Sequence, residues 1–257
     1  MTPQARERLN DDVQDAARKL FLTSRVAVVC KEEATPKQAV FLLHVLREEL
    51  AARDRNRRAR LFKHAHFPVY KTFATYEYGK VTFPPAFGRE EMESCTFIKE
   101  HKNLILYGPV GTGKTHLATA IGVKACTMGL SVRFYSVTEL VLKLSEARKK
   151  GSLERLMRDL SRQDLLILDE WGYVPVDRDG SELLFRVIST SYEQRSLVLT
   201  TNLEFSKWGS IFTDDQMAAA MIDRLVHHGH LLLFSGRSYR MEHALMRQDA
   251  VPESQDS

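Results

Sequence analysis

Gly108, Gly113, Lys114 and Thr115 stand at the spacing G-x-x-x-x-G-K-T, inside the run GPVGTGKTH from Gly108 to His116. Glycines let successive backbone N–H groups turn inward around an anion. A helix that begins at such a turn adds its N-terminal partial charge and its orphan donors. The pattern suits a triphosphate. The loop of Gly108, Pro109, Val110, Gly111, Thr112 and Gly113 would wrap it, with His116 closing the run. Lys114 would reach the β- and γ-phosphates, and the Thr115 hydroxyl would ligate Mg2+. A glycine-rich turn that binds nothing is the alternative. The apolar NLILY before the loop and the helical HLATAIGVKACTMG after it favour the phosphate cradle.

A cradle alone is not an enzyme. LLILDEWG, Leu165 to Gly172, carries four apolar residues through a sheet and delivers Asp169 and Glu170 to its edge. Asp169 suits the water-mediated side of Mg2+ coordination. Glu170 suits orientation and deprotonation of an attacking water. The paired acids point to ATP hydrolysis rather than phosphoryl transfer to a bound metabolite. LVLTTN, Leu197 to Asn202, is a further buried strand, and Asn202 at its end would hold the water near the γ-phosphate. In MIDRLVHHGH, Arg224 lies on a helix that need not face its own chain's site. An arginine from a neighbouring subunit can stabilise transition-state charge, worth about 10³–10⁵ in rate. A surface salt bridge is the other reading of Arg224.

These residues need a sheet to hold them. Apolar runs at 103–107, 131–135, 164–169, 196–201 and 230–234 are expected as strands. Most are apolar throughout, the pattern of parallel strands buried on both faces. Helical stretches alternate with them, which predicts an α/β fold with a parallel sheet sandwiched by helices. SVTELVLKLSEARKK opens with a Ser136/Glu139 capping box. Residues 1–66 read as a small all-helical N-terminal domain. Its longest helix has Thr35 as N-cap and Pro36 in the first turn, with Val40, Phe41, Leu43, Leu46 and Leu50 at helical spacing. Residues 67–246 form the α/β domain and 247–257 an acidic, disordered tail.

The 257 residues are 44% hydrophobic and 27% charged, an ordinary globular balance. Cys30, Cys95 and Cys126 stand at no metal-ligand spacing and suit reduced thiols. No apolar run approaches a membrane span, and a cytoplasmic protein is expected. The net charge of +4 is weak evidence for nucleic acid by itself.

Taken together, the run 67–240 resembles the AAA+ ATPases and, more closely, the IstB-like family. These are ATP-binding helper proteins of bacterial insertion sequences, kin to the replicative-helicase loader DnaC. The likeness rests on FPVYKTF (67–73), LILYGPVGTGKTHLATAIG (104–122), DLLILDEWGYVPVD (164–177), LVLTTN (197–202) and MIDRLVHHGHLLLFSGRSYR (221–240). Trp171 departs from it, standing where an aliphatic residue is expected. The resemblance implies an ATPase that binds double-stranded DNA without sequence specificity, assembles on it as a homo-oligomer and assists a transposase. It marks Asn202 as the first sensor, Arg224 as the arginine finger and Arg240 as a second sensor of the γ-phosphate. A DnaC-like helicase loader, with another partner, is the alternative. Small-molecule phosphotransferases and nucleotide-gated binding modules are alternatives from other classes.

A DNA-assembling ATPase needs cationic surface, because phosphate contacts dominate such affinity. Lys143, Arg148, Lys149 and Lys150 form one run. Arg53, Arg55, Arg57, Arg58, Arg60 and Lys63, facing the single acid Asp54, form another. Either can equally be a solvated helix face. Phe67, Tyr70 and Phe73 are expected against the adenine or in the core. His227, His228 and His230 suggest a metal. However, adjacent residues diverge on a helix, and no cysteine or acid cluster accompanies them, so zinc is not expected.

Overall fold

The computed structural model describes residues 1–173, 176–212 and 214–239. The chain divides into two compact units, Met1–Arg60 and Leu61–Ser257.

The first unit is helical. It holds α1 (Pro3–Lys19), α2 (Arg25–Glu33) and most of α3 (Pro36–Ala65). Thr35 and Gln38 cap α3 reciprocally. The Thr35 N–H donates to Gln38 Oε1 at 2.8 Å, and the Gln38 N–H to Thr35 Oγ1 at 3.4 Å. The core joins Leu9, Val13, Ala16, Ala17 and Leu20 of the first helix and its end to Cys30, Ala39, Leu43 and Leu46. Val40 and Phe41, expected in the apolar stripe, are 51% and 68% exposed. The buried stripe instead follows Ala39, Leu43 and Leu46, one turn apart, which leaves Val40 and Phe41 on other faces.

The second unit is a three-layer α/β sandwich. After the last turns of α3 come β1 (Val81–Thr82), α4 (Arg89–Ser94), α5 (Thr96–Lys99), β2 (Asn103–Tyr107) and α6 (Lys114–Thr127). Then follow β3 (Val132–Ser136), α7 (Val137–Lys149), α8 (Leu153–Ser161), β4 (Leu165–Trp171), α9 (Arg178–Ser191), β5 (Ser196–Thr201), α10 (Asp215–His227) and β6 (Gly229–Phe234). The sheet order is β1-β6-β2-β5-β4-β3. Among the described residues five strands run parallel, and β1 alone is antiparallel, against β6. All five were expected from their apolar runs. The two-residue β1 was not.

Each central strand buries both faces. Ile105, Leu166, Leu168, Leu197 and Leu199 point to one core, filled from α7, α8, α9 and α10. Leu104, Leu106, Leu165, Ile167 and Val198 point to the other, filled from α4, α5 and α6. This is why their sequences show no polar alternation. Trp171, the departure from the aliphatic expectation, is fully buried with ring centroids 5.2 Å from Trp208 and 5.3 Å from Phe212. Bulk supplied by an aromatic cluster replaces the branched side chain. The described part of the unit places the carboxyl ends of β2, β4 and β5 side by side, where open parallel sheets bind ligands.

Candidate functional site

The loop from Gly108 to Gly113 joins the end of β2 to the start of α6. Gly113 precedes α6 with φ 95°, a left-handed conformation. A Cβ there would stand 3.1 Å from the Tyr76 hydroxyl. Lys114 is 5% exposed, and its Nζ donates to the carbonyls of Gly108 and Pro109, each at 2.7 Å. The Thr112 hydroxyl donates to the Pro109 carbonyl at 2.8 Å. The loop is thus wound around its own cation, and a buried ammonium on carbonyl dipoles is a ready counter-charge for an anion.

The acids meet this loop from β4. Asp169 is buried, and its Oδ1 accepts from the Thr115 hydroxyl at 3.0 Å. The same oxygen accepts from the Thr200 hydroxyl, on the neighbouring strand β5. Thr200 Oγ1 in turn accepts from the Glu170 N–H at 3.0 Å. Glu170 is exposed, with φ 62°, and the β4–β5 register shifts between Leu168 and Trp171. A bulge of this kind re-aims side chains. Here it sends two consecutive acids to different places, Asp169 inward onto two hydroxyls and Glu170 outward into the cleft. A non-glycine residue held left-handed costs on the order of 1–2 kcal/mol.

The cleft has a volume of 740 Å³, within the range of small-molecule sites. Val110 to His116 line it together with Glu170, Tyr173 and Thr200. Residues 68–72, 75–77 and 80 also line it, as does Tyr239. The Tyr239 N–H donates to the Gly111 carbonyl at 2.9 Å, so the chain after β6 touches the loop directly. Of the three aromatics expected at the adenine or in the core, Tyr70 lines the cleft and is 64% exposed, whereas Phe67 and Phe73 pack against the apolar core. His116 stacks edge-on with Tyr76, 5.1 Å between centroids, and its Nε2 lies 3.3 Å from the Thr72 carbonyl. Burial lowers its pKa, Lys71 adding to this and the Thr72 carbonyl opposing it. The Tyr76 hydroxyl is buried with no hydrogen-bond partner among the described residues, and burial pushes its pKa up.

Asn202 follows β5 directly, is exposed, and is not among the described residues lining the cleft. Thr200, two residues earlier, is the β5 residue that reaches the acids. No sequence signal marked it, because threonine is an ordinary strand residue. Arg224 also lies outside the described cleft lining. Its Nη1 donates to the Ala220 carbonyl at 2.8 Å, and its guanidinium sits 5.2 Å from the Phe185 ring centre. Arg240 and the acidic tail 247–257 lie outside the described residues. Lys143, Arg148 and Lys150 are exposed and paired with Glu139 at 2.7 Å, Asp179 at 3.7 Å and Glu146 at 3.2 Å. Lys149 beside them is exposed. Arg53 and Arg58 pair with Glu49 and Asp54 within α3. Exposed pairs of this kind are worth about 0–1 kcal/mol and yield to a stronger anion. Among the described residues no helix is long and apolar enough to cross a membrane.

The residues fit a magnesium nucleotide. The loop offers backbone donors and a buried cation, the unpartnered Tyr76 hydroxyl lies against Gly113, and Thr115 and Asp169 offer the hard oxygen donors that Mg2+ takes. Comparison with known proteins bears on the nucleotide. A family model described as IstB-like ATP binding protein matches residues 23–247. An insertion sequence IS21 ATP-binding protein of Pseudomonas aeruginosa is 37% identical over 223 residues, covering 84% of this chain and 83% of the other. An insertion sequence IS232 ATP-binding protein of Bacillus thuringiensis subsp. berliner is 33% identical, covering 78% and 80%. Among solved structures, the chain is similar to the replication initiator DnaA bound to AMPPCP and single-stranded DNA. The TM-score is 0.54 at 21% identity, covering 67% of this chain and 52% of that one. At that identity the likeness is one of fold.

Proposed function

The chain belongs to the IstB-like ATP-binding protein family, and we propose that it is an ATPase that assembles on duplex DNA with ATP and assists a transposase. One observation carries the ATPase part: Thr115 of the phosphate loop donates to Asp169, and the Thr200 hydroxyl links Asp169 to the Glu170 N–H, beside a cleft lined by Thr115, Glu170 and Thr200. The loop backbone and Lys114 would bind the β- and γ-phosphates. Thr115, with Asp169 through water, would hold Mg2+, which when bound neutralises phosphate charge. Glu170 would orient and deprotonate the attacking water, Asn202 would steady it, and Arg224 would reach the γ-phosphate of an adjoining subunit. The transposase part is supported by the names of the relatives, which are proteins of insertion sequences.

DNA contact is assigned to Lys143, Arg148, Lys149 and Lys150 at the end of α7. The acids that hold three of these cations would be exchanged for phosphates, and no base-reading motif accompanies them. Binding is then salt-steep and sequence-blind.

Separating binding from hydrolysis tests the whole reading. Lys114→Ala should lose nucleotide-dependent assembly. Glu170→Gln should bind ATP, hydrolyse it at least about 100-fold more slowly, and stay on duplex DNA. Co-sedimentation with DNA and phosphate release read the two quantities separately. Wild-type hydrolysis by Glu170→Gln would remove Glu170 as the base. Equal assembly with and without ATP would remove the nucleotide-gated part.

A further inference from the structure

The three histidines of HHGH span the end of α10 and the start of β6, at the end of the sheet opposite the phosphate loop. Adjacent residues inside a helix point about 100° apart, which is why the sequence offered no common ligand sphere. The helix stops between them. His227 is the last residue of α10, and His228 leaves it with φ −114° and ψ 40°. The two rings therefore converge, with centroids 4.4 Å apart at 88°.

The missing acid arrives from elsewhere in the chain. Glu193 lies in the turn between α9 and β5, and its Oε1 is 2.7 Å from His228 Nε2. The neighbouring Tyr192 hydroxyl is 2.9 Å from His227 Nδ1 and orients that ring. The turn is anchored from beneath. Buried Arg195 donates to the carbonyls of Leu160 at 2.8 Å and Thr190 at 3.1 Å. Ligand atoms of Glu193, His227 and His228 all lie within 4.8 Å of one another. Bonds of about 2.0–2.2 Å around a tetrahedral ion put ligand atoms about 3.4 Å apart, so side-chain rotation alone closes the set.

We propose that Glu193, His227 and His228 form a site for one divalent transition-metal ion of the zinc class. Two imidazoles and a carboxylate are the donor set that such ions select over Mg2+ and Ca2+. The ion would replace the proton between His228 and Glu193 and keep an open position for water. It would clamp the carboxyl end of α10, the helix that carries Arg224, to the α9–β5 turn. His230 takes no part: it stacks on Phe87, with centroids 4.2 Å apart.

The test uses the untagged full chain and Zn2+ alone. Competition against a chromophoric zinc indicator should give one ion per chain with micromolar affinity, and the melting temperature should rise with added Zn2+. X-ray absorption on the bound zinc should report two imidazole ligands. Glu193→Gln keeps a hydrogen-bond acceptor for His228, so the fold is retained while the charge is lost. It should weaken Zn2+ binding at least 10-fold, and joint His227→Asn, His228→Asn replacement should abolish it. No binding at about 100 µM Zn2+ overturns the proposal. So does an unchanged affinity in the double variant, which would place the ion elsewhere, and so does a zinc spectrum dominated by sulfur.

Discussion

Thr200 is the residue through which the two acids feel each other. Its hydroxyl proton goes to Asp169, and its oxygen receives the Glu170 N–H. Valine has the same shape and neither function. A hydrogen bond to a charged group is worth about 1.5–3 kcal/mol, so Thr200→Val should lower kcat about 10- to 100-fold. Thr200→Ser should stay within about threefold of the parent. Steady-state ATPase measurements separate the two, and a Thr200→Val enzyme with unchanged kcat removes the positioning role. The phosphate loop and the Asp169–Glu170 pair were legible because their chemistry needs those residue types at that spacing. Thr200 was not, because its importance lies in which strand stands next to which. Nor was the bulge at Glu170, whose left-handed backbone contradicts the preference of glutamate itself.

At the scale of elements, the five parallel strands were legible as uninterrupted apolar runs, each within two residues of its observed bounds. β1 was not, since two residues carry no periodicity. The exposure of Val40 and Phe41 was also hidden, because several registers of a helix fit an apolar-rich stretch. Asn103 opens β2 and is buried. Its Oδ1 accepts from the Leu197 N–H at 2.9 Å and its Nδ2 donates to the Leu225 carbonyl at 3.2 Å, tying β2 to β5 and α10. Asn103→Leu leaves two buried backbone groups unpaired and should destabilise the chain by roughly 2–4 kcal/mol, read from the denaturant midpoint. α10 also carries Arg224, and a finger acting in trans gives a mixing test. Arg224→Ala keeps a sound cradle and Lys114→Ala keeps a sound finger. Each alone should be nearly inactive, and their mixture on DNA should regain part of the ATPase activity. No recovery at any ratio, with assembly verified, would make Arg224 a structural residue resting on Phe185.

For the molecule as a whole, the histidines set the response to acid. His116, His230 and His66 all have pKa values lowered from 6.5, in each case first by burial. Lys102 adds to this at His230 against the pull of Glu100, and Arg133 and Lys143 add to it at His66. The folded chain therefore binds fewer protons at these rings than the unfolded chain, which protonates them as the pH falls through about 6.5. Their contribution is fully present above that pH and declines below it. Denaturant midpoints should fall between pH 7.5 and pH 5.5, and His116→Gln should flatten the decline. A midpoint that rises on acidification over this window would contradict the assignment.

The order of the strands has a consequence in time. The phosphate loop leaves the ribosome with β2, the acids follow with β4, and β5 comes after both. Yet β5 is the strand that lies between them in the sheet. Neighbouring strands are about 4.8 Å apart, so until residues 196–201 emerge, β2 and β4 have a full strand's gap between them and no shared ladder. Asp169 has no Thr200 to hold it. Closure awaits an insertion at the centre of the sheet, which joins segments distant in sequence and is intrinsically slow. During synthesis the nascent chain thus carries the glycine loop for some ninety residues before the cleft above it can close, and the strand that completes the cleft carries neither that loop nor an acid of its own.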